Sequence, residues 1–95
     1  MTFYVTHELK VWPELFDDLL SGIKKFEYRR NDRDFYPGQK LLLKEYENLT
    51  EKFTGRSVEA LILDIWGDGW KEIPDFPEGF CIMAIKILGY KMKGD

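Results

Sequence analysis

The sequence predicts an α+β domain: a small, mainly antiparallel curved sheet, rolled toward a β-barrel, with one short helix packed at its end. Three observations lead there. Only residues 13–21 carry apolar side chains at helical spacing. Most of the remainder consists of strand-length stretches separated by Gly-, Pro- and Asn-containing turns. No second helix separates those stretches, so the crossovers that a parallel sheet needs are missing. Closing such a sheet into a barrel would remove its exposed edges.

Residues 2–11 (TFYVTHELKV) are rich in β-branched and aromatic side chains and read as an extended segment. Pro13 suits the first turn of a helix, where its missing N–H is not needed. Leu15, Phe16, Leu19 and Leu20 then form one apolar face, and Gly22 supplies a left-handed stop. Residues 25–30 (KFEYRR) predict a strand with Phe26 and Tyr28 turned into the core. Residues 31–38 (NDRDFYPG) are a turn-rich loop. Residues 39–46 form the next strand, with Leu41 and Leu43 on one face, and 48–55 a polar turn. Residues 56–66 make a longer strand with Leu61, Leu63 and Ile65 expected to point one way. Residues 67–79, with three Gly, Pro74 and Pro77, are a long loop, and 80–88 (FCIMAIKIL) are apolar on both faces, as in a central strand. The polar tail from Gly89 to Asp95 is expected to fray.

A length of 95 residues gives a single domain over 1–95. With 44% apolar and 16% aromatic residues the chain has the material for a core. No apolar run approaches the ~20 residues of a membrane span, and no signal-peptide pattern opens the chain. A single cysteine, Cys81, excludes an internal disulfide, and one histidine beside it argues against a catalytic zinc. No cofactor motif is present. The expected setting is the reducing cytoplasm.

The net charge of −3 does not suggest a general nucleic-acid coat, which would be basic overall. Its distribution is uneven, however. Residues 24–33 carry Lys24, Lys25, Arg29, Arg30 and Arg33 against Glu27 and Asp32, a net of +3, which leaves −6 on the rest. A positive patch on an acidic body attracts anions within a Debye length. The alternative is a solvated strand whose cations pair with neighbouring carboxylates.

Residues 22–29 fit Gly-x-Lys-x-x-Glu-x-Arg directly after the helix. Glu27 and Arg29, two apart, share one strand face, and Lys24 sits at the helix–strand junction, expected to be exposed. A carboxylate between two cations orients both, and such a trio can hold a phosphate or a polar base edge. An internal ion-pair network fixing the helix to the barrel is the other reading. The motif resembles the ASCH family (activating signal cointegrator homology), a branch of the PUA-like β-barrels. Two flanking blocks, His7-Glu8-Leu9-Lys10 and Asn31-Asp32-Arg33-Asp34-Phe35, resemble a small bacterial and phage subfamily. The resemblance implies a cleft between helix and barrel that takes RNA or nucleotides. Some relatives are amidohydrolases on acylated cytidine, with the motif Lys catalytic, a Thr three residues on and a downstream Glu. Here Lys24 matches, Glu27 replaces the Thr, and only Glu59 and Glu78 are candidates for the Glu.

The expected ligand-binding set is therefore His7, Lys10, Lys24, Glu27, Arg29, Asp32 and Arg33, with Lys24 and Glu27 the candidates for any catalytic role. An imidazole is suited to act as acid or base near neutral pH, which makes His7 a candidate, although a lone His is more often structural. Trp12 can stack on a base or pack before the helix. Trp66 and Trp70 read as packing residues, and Asp32 and Asp34 as loop-capping acids rather than metal ligands. The leading expectation is an RNA- or nucleotide-binding module. The runners-up are a small hydrolase with Lys24 in a catalytic role, either an amidohydrolase on a modified nucleoside or, as the resemblance also implies, a ribonuclease, and an interaction protein whose cationic strand meets an acidic partner.

Overall fold

A computed structural model describes residues 5–92. The elements run β1 (Thr6–Val11), α1 (Pro13–Ser21), β2 (Phe26–Arg30), β3 (Lys40–Glu47), β4 (Lys52–Trp66) and β5 (Phe80–Lys91). The five strands form one sheet in the order β1-β3-β4-β5-β2. Every neighbouring pair is antiparallel except β1 with β3, which is parallel because α1 and β2 lie between them in sequence. The expected α+β fold is present. Residues 2–4 of the first expected strand and 93–95 of the tail lie outside the described residues.

The core sits on the concave face. Leu9 and Val11 (β1), Leu41 and Leu43 (β3), Val58, Ala60, Ile62 and Ile65 (β4), and Cys81, Met83 and Ile85 (β5) meet Phe16 and Leu19 of α1 there. Pro13 opens the helix and Gly22, at φ 83°, closes it, its N–H donating to the Leu19 carbonyl. Leu20 packs against the core as expected, but Leu15 is 45% exposed and faces a cleft instead.

Several boundaries and faces differ from the sequence reading. Residues 52–55 belong to β4, because the hairpin turns tightly enough to pair Glu47 with Lys52. The tail does not fray at Gly89: β5 continues to Lys91, which pairs with Ser57. Register shifts at Glu59/Ala60 and Ile62/Asp64 mark bulges in the β4–β5 ladder. A bulge changes the face parity of everything beyond it, so Ile62 and Ile65 both point inward while Leu63 is exposed. The expected common face of Leu61, Leu63 and Ile65 is therefore broken.

The barrel is also open. The sheet curls into a half-barrel, but β1 and β2 remain its two edges and do not pair with each other. Side chains span the seam between them. Arg29 Nη2 donates to the Lys10 carbonyl at 2.6 Å, and Arg33 Nη1 to the Glu8 carbonyl at 2.9 Å. Two guanidinium groups thus satisfy edge carbonyls that a sixth strand would otherwise take.

Candidate functional site

Strand β2 is turned over relative to the sequence reading. Glu27 is buried at 2% exposure, whereas Phe26 and Tyr28 are 44% and 45% exposed. Pairing with β5 explains this. Residues directly opposite in an antiparallel ladder share a face, so Glu27 lies with Met83 and Arg29 with Cys81 on the concave side. Phe26, Tyr28 and Arg30 lie with Ala84, Ile82 and Phe80 on the convex side. There Tyr28 stacks on Phe80 and meets Phe76 edge-on, while the Arg30 guanidinium covers the Phe80 ring. The aromatics that a short strand would have put into a core instead cover the outside of the sheet.

Glu27 holds the motif together. Lys24 Nζ donates to Glu27 Oε2 at 2.5 Å, and Arg29 Nε to Glu27 Oε1 at 2.9 Å. Lys24 Nζ also donates to the Phe26 carbonyl at 2.6 Å and lies 4.8 Å from the Phe26 ring centre. The Lys24 backbone N–H is itself fixed to the Asp18 carbonyl, which ties the motif to the end of α1. The Lys24 side chain is only 12% exposed, not free at an exposed junction as its position after the helix suggests. Burying a carboxylate costs several kcal/mol, and two charge-assisted partners offset that cost here. The trio retains one net positive charge.

This trio forms part of a cleft of about 560 Å³ at the seam. The end of β1 and the start of α1 contribute Lys10, Val11, Trp12 and Leu15. On the other side are Lys24 and residues Phe26 through Arg29. Trp12 precedes the helix with its side chain making no capping bond and 57% exposed. It stands in the cleft wall and not in the core.

The other expected site residues are divided by the fold. Lys10 lines the cleft, its ammonium 4.3 Å from the Tyr46 ring centre. Arg33 lies beyond it along the seam, with Asp32 at its side in a loose, exposed pair at 3.9 Å. His7 is elsewhere in contact: its Nε2–H donates to the Gln39 side-chain oxygen at 2.8 Å and its ring packs edge-on against buried Phe35. The Tyr36 backbone N–H donates to the same Gln39 oxygen. The two flanking sequence blocks thus meet as a structural joint through His7 and Phe35. Of the downstream acids, Glu59 pairs with Lys40 and Glu78 lies in the 67–79 loop; neither lines the cleft. Trp70 meets Tyr36 edge-on and Trp66 lies under Lys71, both in packing roles.

A second buried carboxylate went unread in the sequence. Glu45, 3% exposed, accepts from Arg56 Nε and Nη2, both at 2.7 Å, and from Thr54 Oγ1 at 2.6 Å. Arg56 also reaches Asp17 of α1 at 3.3 Å and lies against the Phe16 ring. The Arg56 hydrogen bonds hold the Glu45 carboxyl below its usual range despite burial, and Glu45 in turn raises Arg56. The helix-fixing ion network considered for Lys24 and Arg29 is thus built by Asp17, Glu45 and Arg56. No local pattern marks it, because Glu45 and Arg56 lie on different strands.

Fold and site together define a small half-barrel whose open seam carries a cationic, aromatic-walled cleft. Residues 6–85 match the family described as a domain of unknown function (DUF3850), and the chain belongs to that family. It is also similar to an uncharacterised 12.9 kDa protein in the GpA 3′ region of Escherichia phage P2. The two are 36% identical over 83 residues, which is 87% of this chain and 69% of the phage protein. Among the described residues, no helix is long and apolar enough to cross a membrane.

Proposed function

We propose that the seam cleft binds a nucleotide unit, free or within RNA, with the base against the aromatic wall and the phosphate toward the Lys24–Arg29 cations. The observation that carries this is the pairing of exposed rings with a fixed positive trio. Trp12, Phe26 and Tyr28 are each 44% exposed or more and line the same cleft, which gathers ring surface that a flat base can cover. Beside them, Glu27 holds Lys24 and Arg29 in place, so little ordering cost remains when an anion arrives. The same residues carry the resemblance to ASCH-type, PUA-like domains, and we read this family as a branch of that group acting on nucleic acid in the cytoplasm.

Binding is favoured over hydrolysis by the donor set. Two acceptors already engage the Lys24 ammonium, and Glu27 is the sole carboxylate among the cleft residues. The test is fluorescence titration of nucleoside monophosphates and short RNA at low salt against wild type and Trp12→Ala. Loss of one stacking ring should weaken binding by about 1–3 kcal/mol. Melting should be nearly unchanged, because Trp12 is exposed and makes no cap bond. Absence of wild-type binding to any of these ligands refutes the reading. Turnover of acylated cytidine that disappears in Lys24→Gln would replace it with the hydrolase.

A further inference from the structure

The cleft does not end at Arg29. A second groove, of about 390 Å³, continues along the seam and shares Lys10 and Arg29 with the cleft as their common boundary. Its remaining lining is Glu8, Leu9, Arg33, Lys44 and Phe53. Four cations there face one carboxylate.

Three of those cations have a carboxylate partner, Arg29 in Glu27, Lys44 in Glu8 and Arg33 loosely in Asp32, and Lys10 has none among the described residues. Lys10 and Lys44 occupy partnered positions on β1 and β3, so two ammonium-bearing side chains stand next to each other on the convex face. Each rests over a ring, Lys10 on Tyr46 at 4.3 Å and Lys44 on Phe53 at 4.5 Å. Glu8 approaches Lys44 at 3.4 Å and offsets one charge. Like charges at neighbouring positions repel, and an anion between them turns that repulsion into attraction. Arg33, anchored through Nη1 to the Glu8 carbonyl, holds its partly exposed guanidinium at the same groove. The two depressions also differ in kind: three exposed rings wall the cleft, whereas the groove has a single exposed ring, Phe53.

We propose that cleft and groove together take two successive nucleotides of a single-stranded nucleic acid. The inference rests on the cleft reading above and extends it from a nucleotide to a strand. One base enters the aromatic cleft. The phosphodiester that follows crosses the Lys10–Arg29 boundary, and the next nucleotide lies in the groove, its phosphate toward Lys44 and Arg33 and its base against Phe53. A base inside a duplex is stacked and paired and does not reach a concave cleft, so the ligand is single-stranded.

The experiment is a length series. Affinity is measured at low salt for a mononucleotide and for di-, tri- and tetranucleotides of RNA and of single-stranded DNA, with wild type, Lys44→Gln and Trp12→Ala. Wild type should show a step of about tenfold or more between mono- and dinucleotide, in line with one added stacked base. Lys44→Gln should shrink that step and reduce the salt slope for oligonucleotides by about 0.7, the value for one phosphate contact on a single strand. Trp12→Ala should weaken every ligand in the series. A step with RNA alone assigns a contact to the 2′-hydroxyl; a step with both polymers assigns recognition to the phosphodiester, and either supports the proposal. Mononucleotide binding with no step overturns the proposal and leaves the cleft reading standing. A step untouched by Lys44→Gln, or duplex binding as tight as single-strand binding, also overturns it. Absence of all binding overturns both.

Discussion

Lys24 combines two roles in one side chain, and their separation is a matter of burial. Its side chain lines the cleft, yet its ammonium also neutralises Glu27 inside the seam. Lys24→Gln should therefore lower stability by about 1–3 kcal/mol, the cost of removing a charge-assisted partner from a buried group. Denaturant titration checks this; an unchanged midpoint would show that Glu27 is satisfied by Arg29 alone. Cys81 gives a second prediction at this scale. Burial, with smaller contributions from the charges of Asp68 and Asp32, pushes its thiol up to about 11. At pH 8 the folded protein should resist iodoacetamide while the denatured chain reacts fully, since the thiolate is the nucleophile. Rapid labelling of the native protein would mean that β5 opens locally.

At the scale of elements, a charge relay adds to the packing of Phe16 and Leu19 in holding the helix to the sheet. Asp17 on α1, Arg56 on β4 and Glu45 on β3 are linked in series. Replacing Arg56 with Met leaves Glu45 buried without its cation and should cost about 3 kcal/mol. The same link predicts an acid limit. The folded Glu45 pKa lies below its ordinary value of 4.5, so the unfolded chain takes up this proton first as pH falls. Stability from this group is complete above pH 4.5 and declines as pH drops toward the folded value. Thermal melting across pH 3–7, compared between wild type and Glu45→Gln, should show a flatter acid limb in the variant. The 67–79 loop is fixed by a glycine. At Gly67, φ is 85°, and an added Cβ would stand 2.7 Å from the Phe76 ring and 2.8 Å from the Phe80 carbonyl. Gly67→Ala should destabilise by about 1–3 kcal/mol, and the shift should reach Tyr28, which packs against the rings of Phe76 and Phe80.

For the molecule as a whole, the open seam is the feature from which the rest follows. The edges β1 and β2 are joined by side chains and not by a ladder, and the side chains that join them are the cations of the site. Arg29→Ala should raise amide hydrogen exchange in residues 6–11 and 26–30 while the β4–β5 hairpin keeps its protection. A uniform loss across all strands would mean that the seam is not an independent unit. A body with net charge −3 that gathers cations along one line also predicts salt-sensitive association there, with little attraction for nucleic acid elsewhere.

Local chemistry in the chain determined much of this. Pro13, the apolar spacing through Leu20 and Gly22 bound the helix, and the short alternating stretches determined a mainly antiparallel sheet. The spacing of Lys24, Glu27 and Arg29 determined that they could meet, because it is set by one turn and one strand. Tertiary structure alone decided which way β2 faces. Strand periodicity fixes two faces but not which is buried, and the choice came from register with β5. Bulges decided the faces of Leu63 and Ile65 in the same way. His7 was separated from the cleft by its contact with Gln39, and Lys44 was brought to Lys10 by the parallel β1–β3 pairing. Glu45 met Arg56 across a hairpin. These pairings join residues far apart in the chain or on different strands. Their geometry depends on strand order and register, which the whole sheet sets at once and no short stretch of sequence contains.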